Sequence, residues 1–194
     1  LEIDIDTGEI TDWHPALDGP VYALTISDST LYVGGEFSTF LGQPRSRLAA
    51  IDLANNSLTE WAPAIDNESY NYISAIQVVG SNVYIGGRFR QIAGEYHSQL
   101  SVVDKETGLP GDWDPDSYGE VWSLWVVGDY MYAAGDFMYI DGKDRNFVAQ
   151  FDLTTGRVTD WNPNPDGFIG SLAFTENATY AAGTFKSIGG EGRK

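Results

Sequence analysis

Apolar runs of four or five residues, each closed by turn formers, recur along the whole chain. The first kind reads Val21-Tyr22-Ala23-Leu24, Ile73-Ser74-Ala75-Ile76, Val121-Trp122-Ser123-Leu124 and Ile169-Gly170-Ser171-Leu172. A second kind follows and ends in glycine, as in Leu31–Gly35; a third ends at an aspartate, as in Leu48–Asp52; a fourth carries a tryptophan, as in Leu58–Trp61. Short runs bounded by Gly, Asn, Asp and Pro read as β-strands. Nowhere do apolar positions recur at a helical period, so the pattern predicts an all-β chain of four strands per repeat. The third position of the first run is always Ala or Ser, which suits a place where strands crowd together near a central axis.

Two motifs fix the interval. Trp-x-Pro begins at Trp13, Trp61, Trp113 and Trp161, so its copies lie 48, 52 and 48 residues apart. Tyr-x-x-Gly-x-Phe begins at Tyr32, Tyr84, Tyr132 and Tyr180, and a further glycine follows each phenylalanine at Gly42, Gly94, Gly142 and Gly190. An aspartate (Asp4, Asp52, Asp104, Asp152) precedes each tryptophan. Between them lies a turn, Thr7-Gly8, Asn55-Asn56, Thr107-Gly108 or Thr155-Gly156, whose Gly and Asn supply the positive φ of a tight hairpin. Beyond the last glycine stands Arg45, His97, Arg145 or Arg193. The second copy carries four extra residues around Asp66–Tyr72; insertions in a repeat fall in loops, often on the binding face.

Four short strands every 48 or so residues are the pattern of a β-propeller blade. The expectation is a single β-propeller domain over residues 1–194, with blade material at about 1–47, 48–99, 100–147 and 148–194. The chain opens with third and fourth strands and closes with first and second ones, so the N-terminal strands are expected to complete the C-terminal blade. Three arrangements stay open: a section of a longer array, a closed four-bladed ring, or half of a ring completed by a second copy.

The order of glycine pair, aspartate, turn and tryptophan resembles kelch-type propellers. Gly34-Gly35 and Gly86-Gly87 keep the pair; Ala134-Gly135 and Ala182-Gly183 depart from it. The Gly-Gly-x-Phe, Trp-x-Pro and Asp-to-Thr-Gly elements are similar to the delta-60 type of kelch-like repeat over essentially the whole chain. That resemblance implies a propeller displayed outside the cell or on its surface. Propeller folds host many functions, so it names no ligand.

Charge narrows the partners. The net charge is −17, from 28 acidic and 11 basic residues, so nucleic acid and anionic membranes are poor partners. No apolar run approaches the roughly 18 residues that mark a spanning helix. Cysteine is absent, which excludes disulfides, thiolate catalysis and thiolate metal sites, galactose-oxidase-like copper chemistry among them.

The recurring residues are read as packing; function is expected where the repeat is broken. Trp122 has no counterpart in the other copies, and Tyr70, Tyr72, Tyr96 and Tyr139 are further unshared aromatics near predicted loops. Aromatic faces there suit the apolar faces of sugar rings. Asp112, Asp114 and Asp116 would share one face if extended, hard oxygen ligands that suit calcium; otherwise no cofactor is expected. Only His14 and His97 serve as imidazole bases, and no nucleophile elbow, zinc-protease helix or phosphate loop is present. The reading is a non-enzymatic extracellular module that binds a protein or glycan. Its alternative is a carbohydrate-active enzyme, hydrolase or lyase, with paired acids at the propeller mouth.

Overall fold

The computed structural model describes residues 1–66, 68 and 70–192. The chain is all-β, with no helix among the described residues. Arg193, the fourth of the recurring basic positions, and Asn67 and Ser69 of the insertion lie outside the described residues.

The strands form small antiparallel meanders. The first sheet runs in chain order through Val21–Ser27, Thr30–Gly35, Leu48–Asp52 and Ser57–Leu58. Its counterpart further on runs through Val121–Val127, Tyr130–Gly135, Val148–Asp152 and Arg157–Val158. Between them lies a three-stranded sheet of Tyr72–Val79, Asn82–Arg88 and Leu100–Asp104, where a single Val103–Pro110 bridge stands in place of the fourth strand. The last sheet has two strands, Ile169–Phe174 and Thr179–Gly183. The N-terminus folds back through an Ile3–Ile10 bridge. Among the described residues no sheet closes into a barrel and none joins this N-terminal hairpin to the last sheet.

The connection between second and third strands holds a small hairpin that the apolar pattern does not reveal, as at Thr39–Phe40 with Gln43–Pro44. Leu41-Gly42, Ala93-Gly94, Asp141-Gly142 and Gly189-Gly190 all have positive φ at both residues, as a type I′ turn requires. The recurring glycine after each phenylalanine serves this turn.

Apolar burial lies between successive sheets. Tyr32, Leu48 and Trp61 of the first sheet's region pack with Ile73, Ile76, Val83 and Val103 of the second. Tyr84, Leu100 and Trp113 pack with Val121, Leu124, Met131 and Phe151 of the third. Tyr132, Val148 and Trp161 pack with Ile169, Leu172 and Phe185 of the last. Three of the recurring tryptophans stand edge-on to a recurring tyrosine, Trp61 to Tyr32 at 5.0 Å, Trp113 to Tyr84 at 5.3 Å and Trp161 to Tyr132 at 5.4 Å. Trp61 Nε1 donates to Asp104 O at 3.0 Å and Trp113 Nε1 to Gly156 O at 2.6 Å, so the indole ties one sheet to the turn of the next.

The other recurring residues hold backbone. Asp104 Oδ1 accepts from Thr107 N at 2.7 Å, closing the turn, and this bond holds the Asp104 carboxyl below its usual range. Arg45 Nη2 donates to Thr59 O at 2.8 Å and Arg145 Nη2 to Thr159 O at 2.7 Å, each clamping the hairpin to the segment before the tryptophan. His97 instead meets Ser101 Oγ through Nδ1 at 3.0 Å.

The glycine of Tyr-x-x-Gly-x-Phe answers a close approach. The pairing of first and second strands slips between Val21 and Ala23, Ile73 and Ala75, Val121 and Ser123, and Ile169 and Ser171. Tyr22, Ser74, Trp122 and Gly170 are therefore the extra residues of four equivalent β-bulges. Opposite each bulge, a Cβ on Gly35, Gly87, Gly135 or Gly183 would strike the carbonyl oxygen of Pro20, Tyr72, Glu120 or Phe168. Gly135→Ala is expected to cost about 1–3 kcal/mol through this overlap with rigid backbone, whereas Gly170→Ala meets only Ala182 O at 3.7 Å and leaves stability near wild type. Thermal unfolding of the two variants checks the difference.

Candidate functional site

The bulges place four non-recurring residues at one end of the inner strands. A bulge re-aims the side chain of its extra residue, and here three of them, Tyr22, Ser74 and Trp122, line one cavity of about 510 Å³ together with Glu36 and Tyr72. Glu36 and Arg88 each follow the close-approach glycine directly, so they stand beside the bulge whatever their identity. Position is set by recurring backbone, and chemistry by residues that differ from copy to copy.

The side chains engage one another. Tyr22 and Tyr72 meet edge to face with centroids 5.6 Å apart. Tyr22 Oη donates to Glu36 Oε2 at 3.0 Å. Tyr72 Oη donates to Glu120 Oε2 at 2.5 Å, and Trp122 Nε1 donates to the same oxygen at 3.1 Å. Arg88 Nε lies 3.6 Å from Glu120 Oε1 and its guanidinium carbon 5.9 Å from the centre of the Tyr70 ring. Trp122 packs on Phe168 at 4.9 Å, and Phe168 on Phe147 at 5.1 Å. Ser74 Oγ donates to Val121 O at 2.8 Å, tying second and third inner strands together here.

Electrostatics follow from these contacts. Burial, and then the hydrogen bond to Glu120, push the Tyr72 phenol well above its usual range. The Glu36 hydrogen bond does the same for the solvent-facing Tyr22. Both phenols therefore stay protonated donors across neutral pH. Glu120 is charge-compensated by Arg88, whereas no cation pairs with Glu36 among the described residues. The arrangement offers flat aromatic faces next to fixed acceptors, which suits holding a ligand.

The unshared aromatics do not all assemble. Tyr70, Tyr72 and Trp122 come together in this cluster. Tyr96 is exposed on its short hairpin and borders a separate cavity of about 370 Å³ with Arg90, Asp116 and Tyr118. Tyr139 packs edge-on against Tyr118 at 5.4 Å. The acids of the Trp113 segment do not share one extended face, because Asp116 turns to φ 46° and its N–H reaches back to Asp114 Oδ1 at 3.3 Å. No three acidic or histidine side chains converge on a metal position among the described residues.

Glu36, Arg88, Glu120 and Phe168 belong to the site without having been picked from the sequence. Their signal was present: each departs from its counterparts next to a recurring glycine or at the start of an inner strand. Arg47 was missed as well. It is buried without a carboxylate partner among the described residues and donates to Asn71 O at 2.8 Å, Phe37 O at 3.0 Å and Glu68 O at 3.3 Å, thereby holding the insertion that leads to Tyr70 and Tyr72.

Neither a protein-family model nor a curated protein matches this chain. Among solved structures it is similar to the computationally designed Ika4 protein, with a TM-score of 0.56 and 15% identity, covering 90% of this chain and 92% of that one. The computationally designed Ika8 protein aligns with a TM-score of 0.44 and 14% identity, over 90% of this chain and 60% of that one. The likeness to Ika4 is one of fold.

A phenol whose pKa is raised by folding contributes stability that is present below the unfolded value and lost as pH rises through the folded one. Tyr72 is expected to titrate later than the exposed tyrosines. Glu120→Gln is expected to bring that step down, though burial keeps it above the unfolded value. Tyrosinate absorbance in an alkaline titration, compared with Tyr72→Phe, reads this directly.

Proposed function

We propose that the chain is kelch-like β-propeller material of four-stranded blades, working outside the cell or on its surface as a non-enzymatic binding module. The ligand rests on the Trp122 cluster. The observation that carries this reading is the convergence of Tyr22, Tyr72, Trp122 and Glu36 on one cavity at the bulges, where the repeat is broken, with Glu120 holding the Tyr72 phenol and the Trp122 indole. The recurring residues are accounted for by packing and turns, so what varies is free to serve recognition.

A glycan fits this chemistry best. Sugar rings offer an apolar face to aromatic rings and hydroxyl donors to carboxylates, and Glu36 has acceptor capacity beyond its bond to Tyr22. A protein ligand would use the same rings for an aromatic or aliphatic side chain. The second reading, glycoside hydrolysis or lysis, draws on Glu36 and Glu120, two carboxyl-bearing residues at one group of aromatics.

Calorimetric titration against an oligosaccharide panel, with product analysis of the same mixtures, tests the proposal. Saturable binding without turnover is expected. Trp122→Ala is expected to weaken it tenfold or more, about 1.4 kcal/mol, while Tyr139→Ala leaves it unchanged. Turnover that Glu120→Gln abolishes would replace the binding module with the enzyme.

A further inference from the structure

The seam between the second and third sheets carries a cation of its own. Arg88 follows the close-approach Gly87 and reaches forward to Glu120, the residue ahead of the third inner strand, with Nε 3.6 Å from Oε1. The centre of the Tyr70 ring lies 5.9 Å from the same guanidinium. A carboxylate on one side and an aromatic face on the other form a favourable setting for a positive charge.

The seam between the first and second sheets uses the equivalent positions with different side chains. Glu36 follows Gly35 as Arg88 follows Gly87, and Tyr72 stands ahead of the second inner strand as Glu120 stands ahead of the third. An acid therefore occupies the place that a cation holds one seam on. Among the described residues no basic side chain pairs with it, since Arg88 is engaged by Glu120. Glu36 Oε2 accepts from Tyr22 Oη at 3.0 Å, and Oε1 receives no hydrogen bond among the described residues. The side chain is half-buried, so salt screens it less than a fully exposed acid.

Three large rings stand around this acid. Tyr22 and Tyr72 meet edge to face at 5.6 Å, Trp122 comes from the third inner strand, and all three line the cavity of about 510 Å³ with Glu36. The second inner strand lies between the first and the third, so its bulge residue Ser74 stands between Tyr22 and Trp122. Ser74 Oγ is turned to Val121 O at 2.8 Å, and its small side chain leaves open the space that a tyrosine or tryptophan would fill. Trp122 Nε1 donates to Glu120 Oε2 at 3.1 Å, which fixes the indole on the far side. The site thus combines electron-rich ring faces, an uncompensated carboxylate and room for one ligand group.

We propose, building on the glycan reading of this cavity, that its ligand is a sugar bearing a free ammonium group, an amino sugar without an acetyl cap. The ammonium donates to Glu36 Oε1 and faces the tyrosine rings, taking the part that Arg88 plays one seam on. The apolar face of the sugar ring meets Trp122. A neutral sugar keeps the stacking and forgoes the charge. Acetylation turns the ammonium into an uncharged amide and loses the same contribution. An acidic sugar is opposed by Glu36 and by the net charge of −17, which draws cations toward the surface.

Calorimetric titration at one fixed ionic strength compares oligomers of glucosamine, of N-acetylglucosamine and of glucose. The glucosamine oligomer is expected to bind about tenfold tighter than the other two, or more. Glu36→Gln, which keeps an oxygen for Tyr22 Oη, is expected to remove that preference while the neutral oligomers bind as before and the unfolding temperature holds. Glu176→Gln removes the same charge from an exposed position in the turn between Ile169–Phe174 and Thr179–Gly183, and is expected to keep the preference. Neutral oligomers that bind as tightly as the amine, a preference that survives Glu36→Gln, or one that falls equally with Glu176→Gln would overturn the ammonium assignment and leave the glycan reading standing. If none of the three oligomers binds, both fall.

Discussion

The structure depends on one constraint: each small sheet has two apolar faces and cannot bury either alone. Four or fewer short strands are too thin to shield both sides, so stability is shared between neighbours. The Trp–Tyr pair meets this need directly. It places a large ring over the edge of one sheet and sends its N–H to the turn of the next, so the same residue contributes apolar area and sets an orientation. Phe37, Phe89 and Phe137, all fully buried, complete the base of each unit. Leu24 and Tyr180, which face no neighbouring sheet among the described residues, are exposed, so burial here belongs to the interface and not to the sheet.

The second organising feature is the close approach at the bulge. Every inner strand has one extra residue, opposed by a glycine that leaves room for the carbonyl two residues before the extra one. A bulge held by glycine and backbone does not depend on the side chain it displaces. Tyr, Ser, Trp and Gly all occupy it. That independence lets the end of the inner strands carry a chemically varied cluster on a uniform frame, and it separates the residues that make the fold from those that make the site.

Much of the fold was legible because its causes are local and recur. Gly35, Gly87, Gly135 and Gly183 signal close backbone approach; the aspartates and Thr-Gly pairs signal turns; the tryptophans mark the interval between sheets. The small hairpins before each third strand were not legible, since Leu41, Ala93 and Asp141 adopt left-handed φ values that their side chains do not advertise. The site was legible only by half. Trp122, Tyr70 and Tyr72 were distinguishable as breaks in the repeat, but so were Tyr96 and Tyr139, which lie elsewhere, and nothing along the chain says which loops meet in space. Glu120 illustrates the limit: one acid among 28, it gains its place only when the bulge brings Tyr72 and Trp122 to a single oxygen.

These two features also explain how acidity and aromatic content coexist in one frame. Carboxylates in this chain are mostly held by donors close at hand: Asp18 by Ser38 and Thr39, Asp166 by Lys186 and Ser187, Asp104 by Thr107. A carboxylate held by backbone N–H groups is favoured in its charged form and is a poor proton donor. Glu120 is held differently, by a phenol and an indole, with a guanidinium nearby. That set fixes its orientation while leaving the aromatic faces around it open. That chemistry gathers on a part of the frame where side chains are free to change.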